Sequence, residues 1–125
     1  MNATILKIAH TGDFEFADVE TDECGDIGLE TLQEGVGGMI ECVPVPEPGC
    51  KNLDLWLNEE GKYLSLPINE TATSLAGTWK YGDCIVGDVA VCGHDGEGRS
   101  IGLTKCDEDA LRKLLAKIRR RSTHD

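Results

Sequence analysis

The sequence predicts an α+β fold. The expected architecture is a single domain over residues 1–121 with a disordered tail at 122–125. Its core is a mainly antiparallel sheet of about five to seven strands, with a short helix after the second strand and a C-terminal amphipathic helix. Three observations predict it. Several short runs alternate apolar with polar residues at a period of two, as half-buried strands do. Tight turns join them, whereas parallel strands need crossovers of a dozen residues or more. The last stretch, 105–121, carries an apolar stripe at helical spacing.

A length of 125 residues suits one domain with a real core. Apolar residues make up 40% of the chain, which argues against intrinsic disorder. No apolar run approaches the ~20 residues of a membrane span. The opening MNATILKIAHTGDF has one lysine and a very short apolar run, unlike a signal peptide, so the expected location is the cytoplasm. The net charge of −11 is unevenly spread. Residues 1–104 hold 19 acids and 5 bases, whereas residues 105–125 hold 7 bases and 4 acids. Such a body repels nucleic-acid phosphates, so direct nucleic-acid binding is disfavoured except through the tail.

The elements follow in order. Ala3–Ala9 reads as a first strand, Thr11-Gly12-Asp13 as a turn, and Phe14–Val19 as a half-buried strand with Phe14 and Phe16 on one face. Residues 20–28 form an acidic loop. Ile27–Glu34 reads as a short helix stopping at Gly35, with Ile27, Leu29 or Leu32, and Val36 toward the core. Gly37 or Gly38 then supplies the positive φ that a reversal into the next strand needs. Met39–Val45 is a strand closed by Pro44, Pro46 and Pro48, since proline cannot donate to a ladder. Asn52–Leu57 alternates, with Leu53, Leu55 and Leu57 on one face and Trp56 on the other. Asn58–Gly61 reads as a hairpin turn with Gly61 left-handed, and Lys62–Leu66 as the returning strand. Asn69 is placed to cap a short helix ending at Gly77. Trp79 and Tyr81 fall in a loop. Cys84–Cys92 is the most hydrophobic strand and is expected to be central. A turn at 94–98 and a short return strand at 99–103 follow. Thr104 and Asp107 start the last helix, whose apolar stripe is Ala110, Leu111, Leu114, Leu115 and Ile118 and whose last turn holds Arg119 to Arg121.

Leu32-Gln33, Val36-Gly37-Gly38 and Ile40-Glu41 form the pattern L-Q-x-x-V-G-G-x-I-E. N-E-E-G-K at 58–62, L-P-x-N at 66–69, Gly87-Asp88, and D-G-x-x-R-S at 95–100 follow. In this order they resemble a small family of uncharacterised proteins carried by bacteriophages and mobile elements. The resemblance covers most of residues 29–115. It implies a compact α+β domain from an accessory gene acting in the cytoplasm of a bacterial host cell. It supplies no catalytic residues, and the cysteines and the arginine tail lie outside the shared pattern.

The chemistry-bearing residues point in different directions. Six cysteines at 24, 42, 50, 84, 92 and 106 include no C-x-x-C pair, so six free thiols and no metal or cofactor are expected. Cys84, Cys92 and His94, with His10 or Cys106, are the only zinc set worth weighing, and their spacing matches no common module. No local pattern marks an activated thiol, and the chain is read as non-enzymatic. A glycine-rich segment after a helix is in the wrong order for a phosphate loop. Trp56, Asn58, Lys62, Asn69, Trp79 and Arg99 are candidates for a small-ligand or nucleotide-signal pocket. The preferred site is the uninterrupted run of nine acids from Asp13 to Glu34, with Asp13, Glu15, Asp18, Glu20, Asp22 and Glu23 as a docking face for a host protein. The expected function is thus host-factor modulation, in the manner of anti-defence or anti-restriction proteins. A ligand-binding protein and a structural oligomerisation module, including a homodimer, are the alternatives.

Overall fold

Strand alternation and sequence-local turns dictate most of the architecture. A computed structural model of the chain describes residues 1–46 and 52–122. The elements are β1 (Asn2–Ile8), β2 (Phe14–Glu20), α1 (Leu29–Val36), β3 (Ile40–Pro44), β4 (Leu53–Asn58), α2 (Glu70–Ala76), a 3₁₀ turn (Thr78–Tyr81), β5 (Val89–His94), β6 (Ser100–Ile101) and α3 (Lys105–Ser122). All described pairings are antiparallel, in the order β2-β1-β5-β4-β3, with β6 against the end of β5. The expected α+β fold is the observed one. Of the tail expected at 122–125, Ser122 ends α3 and the rest lies outside the described residues.

The sheet is covered on both sides, and the period of two sorts its side chains. Leu6, Ile8, Leu53, Leu55, Val89 and Val91 face α2 and α3, where they meet Leu75, Leu111, Leu115 and Ile118. Ile5, Ala90 and Cys92 face the other way and meet Ile27 and Leu32 beside α1. β5 is fully buried from Val89 to Cys92, so it is central as expected. Thr104 and Asp107 form a reciprocal capping box at the start of α3. The Thr104 N–H donates to Asp107 Oδ2 at 2.8 Å, and the Asp107 N–H donates to Thr104 Oγ1 at 3.1 Å.

Asn69 is wholly buried and serves three elements at once. Its Oδ1 accepts the Ala72 N–H at 2.9 Å, capping α2. Its Nδ2 donates to Ile8 O at 3.2 Å and to Gly87 O at 2.9 Å. Thr73 extends the knot: its hydroxyl donates to Asn69 O and accepts the Ile85 N–H, both at 2.8 Å.

Several sequence expectations need correction. The helix α1 does not stop at Gly35 but runs to Val36, whose side chain is buried against the sheet and whose successor Gly37 supplies the cap. Gly37 is the left-handed cap at φ 79°, donating to Gln33 O at 2.8 Å. Leu29 is exposed, and Ile27, Leu32 and Val36 are buried. Lys62–Leu66 is not a strand. Both edges of β4 are taken, by β3 and β5, so a returning strand has nothing to pair with, and residues 59–65 coil through turns. Gly61 does not have a positive φ; it is needed because a Cβ there would meet Val86 Cγ2 at 2.7 Å. Cys84–Cys92 is not one strand: Gly87 at φ 78° breaks it, leaving a single bridge from Val86 to Ile68 before β5 begins at Val89. β3 is an edge strand ending at Pro44, where the missing N–H costs nothing, and Pro48 lies outside the described residues.

Replacing Asn69 with alanine takes a donor away from two buried carbonyls and strands one helix N–H. The variant is expected to lose about 3 kcal/mol in urea denaturation, and Asn69→Asp no less, because a carboxylate cannot donate to Ile8 O and Gly87 O. Wild-type stability in the aspartate variant would refute this role. At Gly37 the space for a Cβ is open and only the backbone resists. Gly37→Val should therefore cost more than ~1 kcal/mol and Gly37→Asn distinctly less, since asparagine tolerates the left-handed region. Equal losses for the two would count against the strain account.

Candidate functional site

The acidic run resolves into a surface with a definite position. β2 is the first strand of the sheet order, and no described element pairs with its outer edge. Glu15, Asp18 and Glu20 on β2 are exposed, as are Asp13 before it and Asp22 and Glu23 after it. Glu15 lies on the α1 face opposite Lys7, whereas Asp18 lies on the α3 face opposite Thr4, whose hydroxyl is 3.3 Å from Asp18 Oδ1. Asp22 is structural: its Oδ1 accepts the N–H groups of Cys24 at 2.8 Å and Asp26 at 3.0 Å and so shapes the loop.

A groove of about 390 Å³ opens beside this edge, between the β1–β2 hairpin and the end of α1. Its carboxylates are Asp13, Glu15, Glu34 and Asp88, its one base is Lys7, and Ile8, Ala9 and Val89 line it as well. Asp88 also ties down the hairpin, accepting from the His10 N–H at 2.9 Å with His10 Nδ1 at 3.1 Å. Charge contacts among the described residues join His10 to Asp88, Lys62 to Asp83, His94 to Asp54, Arg99 to Asp95 and Glu97, and Lys105 to Asp109. None of these draws on the acids from Asp13 to Glu34. Lys7 stands opposite Glu15 and Arg99 lies near Asp26, yet carboxylates far outnumber bases along this run, which is the condition for a long-range negative potential.

The six pocket candidates do not form one site. Trp56 and Arg99 line a shared groove of about 430 Å³ on the α1 face, with Asp26, Leu29, Ile40 and Glu97. Asn69 is buried on the opposite side of the sheet. Asn58 is also buried; its Oδ1 accepts the Glu60 N–H at 2.9 Å, and its amide packs under Gly38, where a Cβ would meet Nδ2 at 2.9 Å. Lys62 is engaged with Asp83, and Trp79 is exposed on the 3₁₀ turn beside Lys80. Arg99 is engaged too, with Nε 2.7 Å from Asp95 Oδ2 and Nη2 3.2 Å from Glu97 Oε2. The guanidinium hydrogen bond holds the Asp95 carboxyl below the usual carboxylate range.

Cys92 and His94 share the α1 face of β5, yet each already has a partner. The Trp56 indole N–H donates to Cys92 Sγ at 3.3 Å, and His94 Nδ1 lies 2.8 Å from Asp54 Oδ2. Cys84 lies before the bend at Gly87, His10 at the β1–β2 turn and Cys106 in the first turn of α3. Among the described residues no three His, Cys, Asp or Glu side chains converge as a metal site. Burial pushes the Cys92 thiol up to about 11, and burial and the Asp54 charge raise Cys42 as well, so both are protonated at neutral pH. Cys24, Cys42, Cys84, Cys92 and Cys106 are free, and Cys50 lies outside the described residues.

Sequence reasoning missed the Asp54–His94 pair, which no local pattern reveals because 40 residues separate them. It also missed Asp95, whose Oδ1 accepts the N–H groups of Glu97 and Arg99; the D-G-x-x-R spacing was the available signal. No helix among the described residues is long and apolar enough to cross a membrane.

No curated protein and no solved structure gave a match. A family model does match, over residues 1–116, and so spans every element from β1 into α3. The chain belongs to the family described as a domain of unknown function, DUF3846.

Proposed function

We propose that the protein is a non-catalytic accessory factor of a phage or mobile element, and that it modulates a host protein by binding it through the acidic edge of the sheet. One observation carries the reading: nine acids follow one another without a base between them, and five of them, Asp13, Glu15, Asp18, Glu20 and Glu34, lie on an unpaired edge strand or line the adjoining groove. Uncompensated charge of one sign steers a partner of the other sign, and the pull weakens with salt as the Debye length falls from ~10 Å at 0.1 M to ~3 Å at 1 M. The resemblance to phage and mobile-element proteins supplies the setting, a bacterial cytoplasm. Protonated thiols at Cys42 and Cys92 favour binding over nucleophilic chemistry.

A second reading, a small ligand over Trp56, is favoured by the groove that Trp56 shares with Arg99. The two carboxylates already on Arg99 weigh against an anionic ligand there. A thermal-shift screen against nucleotides tests it.

For the preferred reading, Glu15, Asp18, Glu20 and Glu23 are changed to neutral amides, with Asp22 left in place because it shapes its loop. Tagged wild type and variant are then compared in pull-downs from bacterial lysate. Wild type should retain a basic protein that elutes as salt rises, and association of that protein with the variant should slow by roughly tenfold or more. Equal recovery and equal rates would reduce the acidic edge to a solubilising surface.

A further inference from the structure

The geometry of β2 says how a partner would be held, and this inference rests on the docking role proposed above. The Ala9 N–H donates to Asp13 O at 2.8 Å, and the Thr21 N–H donates to Met1 O at 2.8 Å. With the β1–β2 register, these two bonds put the odd-numbered residues of β2 into the ladder with β1. The N–H and C=O groups of Phe14, Phe16, Asp18 and Glu20 therefore point away from the sheet, where no described element meets them. β2 is seven residues long and contains no proline, glycine or lysine. The opposite edge, β3, has five residues and ends in Pro44, which lacks an N–H. β2 is thus the edge better able to accept a strand.

We propose that β2 binds an extended basic segment of a partner protein as an added antiparallel strand. Charge decides the occupant. A second copy of β2 in full antiparallel overlap would set Phe14 against Glu20, Phe16 against Asp18 and Glu15 against Val19, and would gather six carboxylates on two strands that carry no base, whereas lysine or arginine opposite each acid is favoured. Each face then specifies its own positions. On the α3 face, apolar residues meet Phe14 and Phe16 and basic ones meet Asp18 and Glu20. On the α1 face, a basic residue meets Glu15 and apolar ones meet Ala17 and Val19. Main-chain bonds supply affinity and the alternating side chains supply selectivity.

The probe is an acetylated, amidated, fluorophore-labelled peptide, Lys-Val-Lys-Val-Val-Lys-Val, measured by anisotropy against the full chain. Two N-methylated forms keep its charge. Methyl groups on its third and fifth amides block the bonds to β2, and methyl groups on its second and fourth face outward. The parent and the second-and-fourth form should bind, and the third-and-fifth form should bind at least about tenfold more weakly, as expected for two lost hydrogen bonds. Asp18→Pro, which removes an outward N–H together with the carboxylate, should weaken the parent peptide similarly, and Asp18→Asn, which removes the charge alone, by less than about threefold. Equal binding of both methylated forms overturns strand addition and leaves charge-steered docking standing. No binding of the parent overturns strand addition as well. Binding that ignores neutralisation of Glu15, Asp18 and Glu20 overturns both readings.

Discussion

One side chain amide holds three parts of this molecule in register. The last carbonyl of β1, the carbonyl of Gly87 at the bend and the N–H of Ala72 all converge on Asn69. In a low-dielectric interior such groups are costly when unmet, so their convergence on one planar amide fixes where β1 ends, where α2 starts and how the chain enters β5. Few side chains offer two donors and an acceptor at that reach. The central strand is aimed into the sheet by a residue outside it.

The second constraint is thickness. β5 carries Val89 and Val91 toward two helices and Ala90 and Cys92 toward one. The smaller residues leave room for Ile27 and Leu32 beside α1. Gly38 and Gly61 serve the same economy of space against Asn58 and Val86. Gly37, Gly38, Asn58, Gly61 and Asn69 thus shape the scaffold.

Alternation made β1, β2 and β4 legible in the sequence, and the capping box with its apolar stripe made α3 legible, because those signals are local. The failures are non-local. Lys62–Leu66 has enough apolar residues to pass for a strand, and only the occupancy of both edges of β4 rules it out. Gly61 suggests a left-handed turn by its place in sequence, yet its neighbour Val86, 25 positions along, is what requires glycine there. Asn58, Asn69 and Trp56 were grouped as a pocket by residue type, yet Trp56 and Asn69 lie on opposite sides of the sheet. The acidic run was visible from composition, but its place on an open edge depends on strand order, which no local pattern encodes.

The two sides of the sheet are unequal, and that difference sets a hierarchy of opening. Among the described residues, a cluster of fifteen buried apolar residues holds the side with α2 and α3, and a cluster of five lies on the side with α1. The helix α1 has eight residues between Gly28 and Gly37, and no side chain caps its start. Cooperative units with fewer buried contacts open at lower free energy than the whole molecule. Amide hydrogens of α1 accordingly exchange with solvent through a sub-global fluctuation that lifts one helix, while those of β5 wait for complete unfolding. In that transient state the wholly buried thiol of Cys92 is expected to meet water and to become open to alkylation at a rate that reports the lifting of α1.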